Sequence, residues 1–124
     1  MDYSFKGLKV YQLAYALAME IFEISKNFPK EEKYSLTDQI RRSSRSVCSN
    51  IAEAYRKRNY PRYFTSKISD ADSEASETEV WIDFAFDCEY IPKEVKEKLL
   101  LQYDEVGKML GGMANNPYKF LPKN

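Results

Sequence analysis

Glu74 and Glu77 come nearest to a metal-binding pattern in this sequence. Three residues apart on a helix, they share a face. A dinuclear carboxylate centre in a helix bundle, however, draws Glu from two helices and Glu-x-x-His from two more. The chain contains no histidine. Glu20, Glu23 and Glu53 are the other acids on apolar helical stretches, and they do not complete a ligand set. The missing imidazole also removes the usual general base and both the Cys-His and Ser-His nucleophile pairs. Ser43, Ser44, Ser46 and Ser49 lack the context of a nucleophile elbow. Gly111-Gly112 closes a helical stretch, whereas a phosphate-binding glycine loop opens one. No catalytic residue, metal site or cofactor is expected, and ion pairing or solvation is the reading for the two glutamates.

The bases are more informative. The 19 Lys and Arg balance the 19 Asp and Glu, but they are segregated. Arg41, Arg42, Arg45, Arg56, Lys57, Arg58, Arg62 and Lys67 face one acid, Glu53, across residues 39–67. Asp70, Asp72, Glu74, Glu77, Glu79, Asp83, Asp87 and Glu89 then follow without a base. At about 100° per residue, Arg41, Arg45 and Arg56 fall within roughly 60° of one another, opposite the apolar seam, and are expected to point away from the core. Such a face suits solvent, phosphates or the acids of a neighbouring subunit. The stretch from Tyr55 to Tyr63 interleaves Arg56, Lys57, Arg58 and Arg62 with Tyr55, Tyr60 and Tyr63. Cations hold a phosphate backbone and tyrosine rings stack on unpaired bases. The alternative is that Tyr55 and Tyr63 face the core and only the bases are exposed.

Four helical stretches must position these residues, at about 8–27, 36–58, 61–89 and 93–114. Apolar seams recur at steps of three and four: Val10, Ala14, Leu17, Ile21, Ile24 and Phe28, then Leu36, Ile40, Ser43, Val47, Ile51 and Ala54. Phe64, Ile68, Ala71, Ala75, Thr78, Ile82 and Ala85 continue the pattern, followed by Val95, Leu99, Tyr103, Val106, Leu110 and Met113. Ser43 and the alanines allow close helix approach. Ser35 is the expected N-cap of the second helix, and Lys30 to Lys33 the expected solvated corner before it. Pro61 suits a first helical position. Long helices joined by short turns give an all-α, antiparallel up-down four-helix bundle, with one domain over residues 1–117. Residues 118–124 form a tail docked by Tyr118 and Phe120.

Cys48 and Cys88 are too few and too far apart for a disulfide scaffold or a zinc site, and they read as thiols in a reducing cytoplasm. The longest apolar run, Leu13 to Met19, is far short of a membrane span. No membrane partner is expected.

Gln39, Arg42, Ser46, Asn50 and Glu53 form a polar flank at steps of three and four. If the second and third helices fold back about residues 59 and 60, Arg42 lies level with Glu77, Arg45 with Glu74, and Glu53 near Lys67.

The run Leu36-Thr-Asp-Gln39-Ile-Arg41-Arg42-Ser-Ser-Arg-Ser46-Val-Cys-Ser-Asn50-Ile-Ala-Glu53-Ala resembles the L-x-x-Q-I-R-R-A-x-x-S-V-x-x-N-I-A-E-G signature of the 23S rRNA intervening-sequence proteins. Phe5-x-x-Leu8-x-Val10, Phe28-Pro29-x-Glu31 and Ser73-Glu74 with Glu77 agree with the same family. The resemblance implies a bacterial four-helix bundle that assembles into a ring-shaped homopentamer. It also implies kinship with the accessory variability proteins of diversity-generating retroelements, which are basic and bind nucleic acid. Carried over by position, Gln39, Arg42, Ser46, Asn50, Glu53, Glu74 and Glu77 are expected to form a buried polar network and subunit contacts. Ala54 stands where the signature has glycine, and the acidic third helix departs from the basic accessory proteins. Two functions follow as expectations. One is non-catalytic RNA binding through Arg41, Arg45, Arg56, Lys57, Arg58, Arg62 and Tyr60. The other is an adaptor whose charged helices mediate ring assembly without nucleic acid.

Overall fold

The computed structural model describes residues 4–122. Within them the chain forms four long helices: α1 (Lys9–Ser25), α2 (Asp38–Arg56), α3 (Pro61–Asp87) and α4 (Lys93–Asn115). The described residues contain no strand and no helix long and apolar enough to cross a membrane. The three-four periodicity turns into one shared core. Ile21, Ile40, Val47, Ile51, Phe64, Ile68, Ile82, Leu99, Val106 and Leu110 are all essentially sealed from solvent. Each such side chain contributes roughly 1.5–3 kcal/mol. Cys48 is buried and Cys88 exposed, and neither is in a disulfide.

Ser43 meets Thr78 while Glu53 meets Lys67, and Asp83 meets Lys96 while Gly107 lies over Asp72. Phe5 shares a groove with Ala52, and Phe120 stacks on Phe64 with ring centroids 5.2 Å apart. The turn at Phe5–Gly7, the α2–α3 turn and the final turn at Pro117–Phe120 are thereby brought to one end.

The helix ends differ from expectation for local reasons. A single π turn, Lys33–Thr37, precedes α2, and Ser35 does not cap it. Glu32 caps instead. Its carboxylate accepts from the Leu36 amide at 3.4 Å, the Ser35 hydroxyl at 2.6 Å and the Tyr90 hydroxyl at 2.8 Å. The corner is therefore anchored to the α3–α4 turn, not simply solvated. At the start of that turn, α3 ends at Asp87, two residues before the expected boundary at about 89. Glu89 adopts φ 67° and donates its amide to Phe86 O, and the Tyr90 amide reaches Ala85 O, both at 2.8 Å. This is a Schellman closure with glutamate in the left-handed position that glycine prefers. In the C-terminal segment Phe120 docks, but Tyr118 is exposed. Residues 123 and 124 of the expected tail lie outside the described residues, as do residues 1–3.

Two predictions follow from the corner. Glu89→Gly is expected to raise unfolding free energy by about 1 kcal/mol in a denaturant titration, by removing left-handed strain. A loss of stability would contradict the strain. The Ser35 hydroxyl first, then Tyr90, holds the Glu32 carboxyl below its ordinary value. A depressed carboxylate contributes stability above the unfolded value, and this is lost as pH falls through the folded one. Glu32→Gln should therefore be less stable than the parent at pH about 7, with the difference shrinking below pH about 4. A difference independent of pH would contradict the cap.

Candidate nucleic-acid interface

The structure divides the α2 bases into committed and free groups. Arg42 is committed to α3. Its guanidinium donates to Glu74 at 3.0 Å, to Glu77, and to Gln39 at 3.4 Å. The bond to Glu74, foremost, raises its pKa further. Trp81 Nε1 donates to the same Glu77 carboxylate at 3.3 Å, so one acid ties an arginine to an indole. Lys67 bonds Glu53 at 2.9 Å, and that bond raises the lysine's pKa.

Arg41 is committed to α1, which corrects its expected outward placement. Its Nε donates to the Ser25 hydroxyl at 2.7 Å, and its guanidinium lies 4.8 Å from the Phe22 ring centroid. A helix packed between α1 and α3 has no fully free flank, so opposition to the seam does not guarantee exposure. Arg45 is exposed and lies 5.8 Å from the same ring. Among the described residues it makes no ion pair with Glu74, which Arg42 takes together with Glu77.

The expected buried network is instead a rim. Arg42 and Glu53 are exposed, while Gln39, Ser46, Asn50, Glu74 and Glu77 are half-buried. Asn50 donates to Ser46 O at 2.9 Å within its own helix and joins no neighbour through that bond. The buried polar contact between α2 and α3 is a different one. Ser43 and Thr78 are in hydroxyl–hydroxyl hydrogen-bond contact at 2.8 Å, both fully enclosed; if the single Thr78 proton goes to Glu74 O, also at 2.8 Å, Ser43 is the donor between them. Both residues stood on the apolar seams as small fillers, and their hydroxyls were the available signal.

The free bases lie at the α2–α3 turn. Arg56, Lys57 and Arg62 are exposed, and Tyr60 and Tyr63 are 58% and 43% exposed. Arg58 folds back over the Tyr55 ring at 4.1 Å and donates to Tyr55 O, satisfying a carbonyl at the end of α2. Tyr55 is thus occupied from within, whereas Tyr60 and Tyr63 present their rings to solvent. Among the described residues none of Arg56, Lys57, Arg58 and Arg62 takes part in an ion pair.

Folding adds bases that linear reading missed. Exposed Lys6, Lys9 and Lys119 belong to the two terminal segments that share this end. Residues 4–19, 54–69 and 106–122 carry no acid at all. Their signal was the absence of acids from three distant segments, which only the fold combines.

Residues 6–112 match the family model described as 23S rRNA-intervening sequence protein. A similar solved structure comes from Bacteroides thetaiotaomicron VPI-5482 and is described as a protein with unknown function from the S23 ribosomal protein family. It shares 30% identity, the match covers 86% of this chain and 95% of that one, and the TM-score is 0.77. No curated protein matches the chain.

The rim generates a prediction about α2–α3 packing. In a double-mutant cycle, Arg42→Ala and Glu77→Ala should be coupled by about 0.5–1 kcal/mol in unfolding free energy, the scale of a solvent-accessible pair within a network. The coupling should shrink in about 1 M salt. Additive losses would contradict the pairing.

Proposed function

The chain belongs to the 23S rRNA-intervening sequence protein family, and on that premise we propose that it is a non-catalytic RNA-binding protein. In this reading the helices form an antiparallel up-down bundle, and copies assemble into a homopentameric ring in the cytoplasm. The bases at the α2–α3 end grip phosphates. Kinship with the accessory variability proteins of diversity-generating retroelements belongs to the same reading. The observation that carries it is the cluster of Arg56, Lys57, Arg58 and Arg62, left without acidic partners beside the exposed Tyr60 and Tyr63. Elsewhere the chain neutralises Arg42, Lys67, Lys96 and Lys98 with acids. A protein of zero formal net charge that pairs those cations yet leaves one end acid-free concentrates positive potential there. Lys6, Lys9 and Lys119 extend it. A ring would present several copies of the end together and raise the effective concentration of binding groups.

A second reading, the adaptor without nucleic acid, draws on the α2 face itself. Arg41 and Arg42 are held by intramolecular contacts, and Arg45 borders an apolar groove. In this reading Arg41 and Arg45 move from the RNA surface to the protein-contact surface, where Arg42 was already expected.

Fluorescence anisotropy on a structured and an unstructured RNA across a salt series tests the function. Binding should weaken steeply with salt, and Arg56→Ala/Lys57→Ala/Arg58→Ala should lower the log–log slope by about one for each phosphate that is no longer neutralised. No binding at low salt would overturn the RNA reading and leave the adaptor.

A further inference from the structure

Building on the proposed assembly, we infer that an exposed apolar stripe on α3 of one copy seats in the groove between α1 and α2 of the next. The groove has a volume of about 360 Å³ and is lined by Phe5, Tyr11, Tyr15, Met19, Cys48 and Ala52, with Arg45 and Ser49 also on its wall. Tyr15 and Met19 are 52% and 46% exposed. The stripe is Val80 and Phe84, 48% and 54% exposed, flanked by half-buried Trp81. Four residues apart, Val80 and Phe84 project from one face about 40° apart, the arrangement by which a helix anchors in a groove.

Charge identifies the occupant as a second copy. The groove is bordered by Arg45, and residues 4–19, which include its Phe5, Tyr11, Tyr15 and Met19 lining, contain no acid. The stripe lies on the acidic helix. Asp87, one turn beyond Phe84, is exposed and joins no ion pair among the described residues. Apolar anchors with basic surroundings on one surface thus match apolar anchors with acidic surroundings on the other, an apolar centre with a charged rim.

The two surfaces are different parts of the molecule. The groove lies on the α1–α2 seam, and the stripe adjoins Leu36 and Gln39 on the α2–α3 seam. One copy therefore offers both halves of the contact, and association is head-to-tail, which closes into a ring when the rotation permits.

Sedimentation velocity on the full chain tests this with Tyr15→Glu and Phe84→Glu, each checked for its helical spectrum by circular dichroism. Both positions are about half exposed, so the fold should tolerate them; Met19→Glu and Val80→Glu replace any variant that does not fold. At about 100 µM, well above the dissociation constant of an interface of ordinary size, the parent should be oligomeric and each variant a folded monomer. An equimolar mixture should give a one-to-one dimer, because the Phe84→Glu copy keeps its groove and the Tyr15→Glu copy keeps its stripe. A monomeric parent, variants with the parental mass, or a mixture that stays monomeric would each overturn the docking. A parent that remains monomeric in the presence of an apolar probe or anionic vesicles while binding them would assign the groove to those occupants and likewise overturn it. RNA binding measured on the same samples separates the two readings. A monomer that binds RNA keeps the RNA reading and loses the docking, and a ring that binds none does the reverse.

Discussion

The rest of the structure depends on the close seating of α2 against α3. Small residues make it possible: Ser43 and Ala54 on one helix, Ala71, Ala75 and Thr78 on the other, all buried. At that distance the hydroxyls of Ser43 and Thr78 partner each other as well as the carbonyls of Ile40 and Glu74, and neither is left unpaired, which would cost about 1–3 kcal/mol. The same proximity brings Arg42 within reach of Glu74 and Glu77 at the rim. Replacing the glycine of the resembled signature by Ala54 is compatible with this seating, because the methyl is fully enclosed in the core.

Once α2 is held between α1 and α3, its charges sort themselves by position along the helix. Arg41 near its start stacks on Phe22 of α1, and Arg42 is taken by α3. Lys67, opposite Glu53, is neutralised further along. Beyond Glu53 no acid stands before Asp70; Arg58 turns onto Tyr55, and Arg56, Lys57 and Arg62 are left to solvent or a partner. The acidic third helix is therefore compatible with a basic end. Its acids serve the middle of the bundle and the α3–α4 end, where Asp83 meets Lys96. Screening over about 8 Å in physiological salt keeps those acids from cancelling the distant cluster.

Elements governed by apolar periodicity were legible in the sequence. All four seams fall in the core, apart from half-buried Ile24 and Val95. The residues misjudged were those whose partners lie far along the chain. Ser35 carried the local signature of a cap, but Glu32 is steadied by Tyr90 from another turn and occupies that role. Arg41 followed the helical wheel of α2 alone, and the wheel contains no α1. Glu89 takes a left-handed conformation with no glycine to announce it. Arg56, Lys57 and Arg62 were legible as free bases because the one acid near them in sequence, Glu53, was expected beside Lys67; the contribution of Lys6, Lys9 and Lys119 required the fold.

The central claim is that one end of each bundle supplies cations to a shared RNA surface. Native mass spectrometry of the protein titrated with a structured RNA tests it most directly, by counting RNA molecules against protein copies. The account predicts complexes in which several copies hold a single RNA. One independent RNA for every chain, or protein peaks that never acquire RNA, would contradict it.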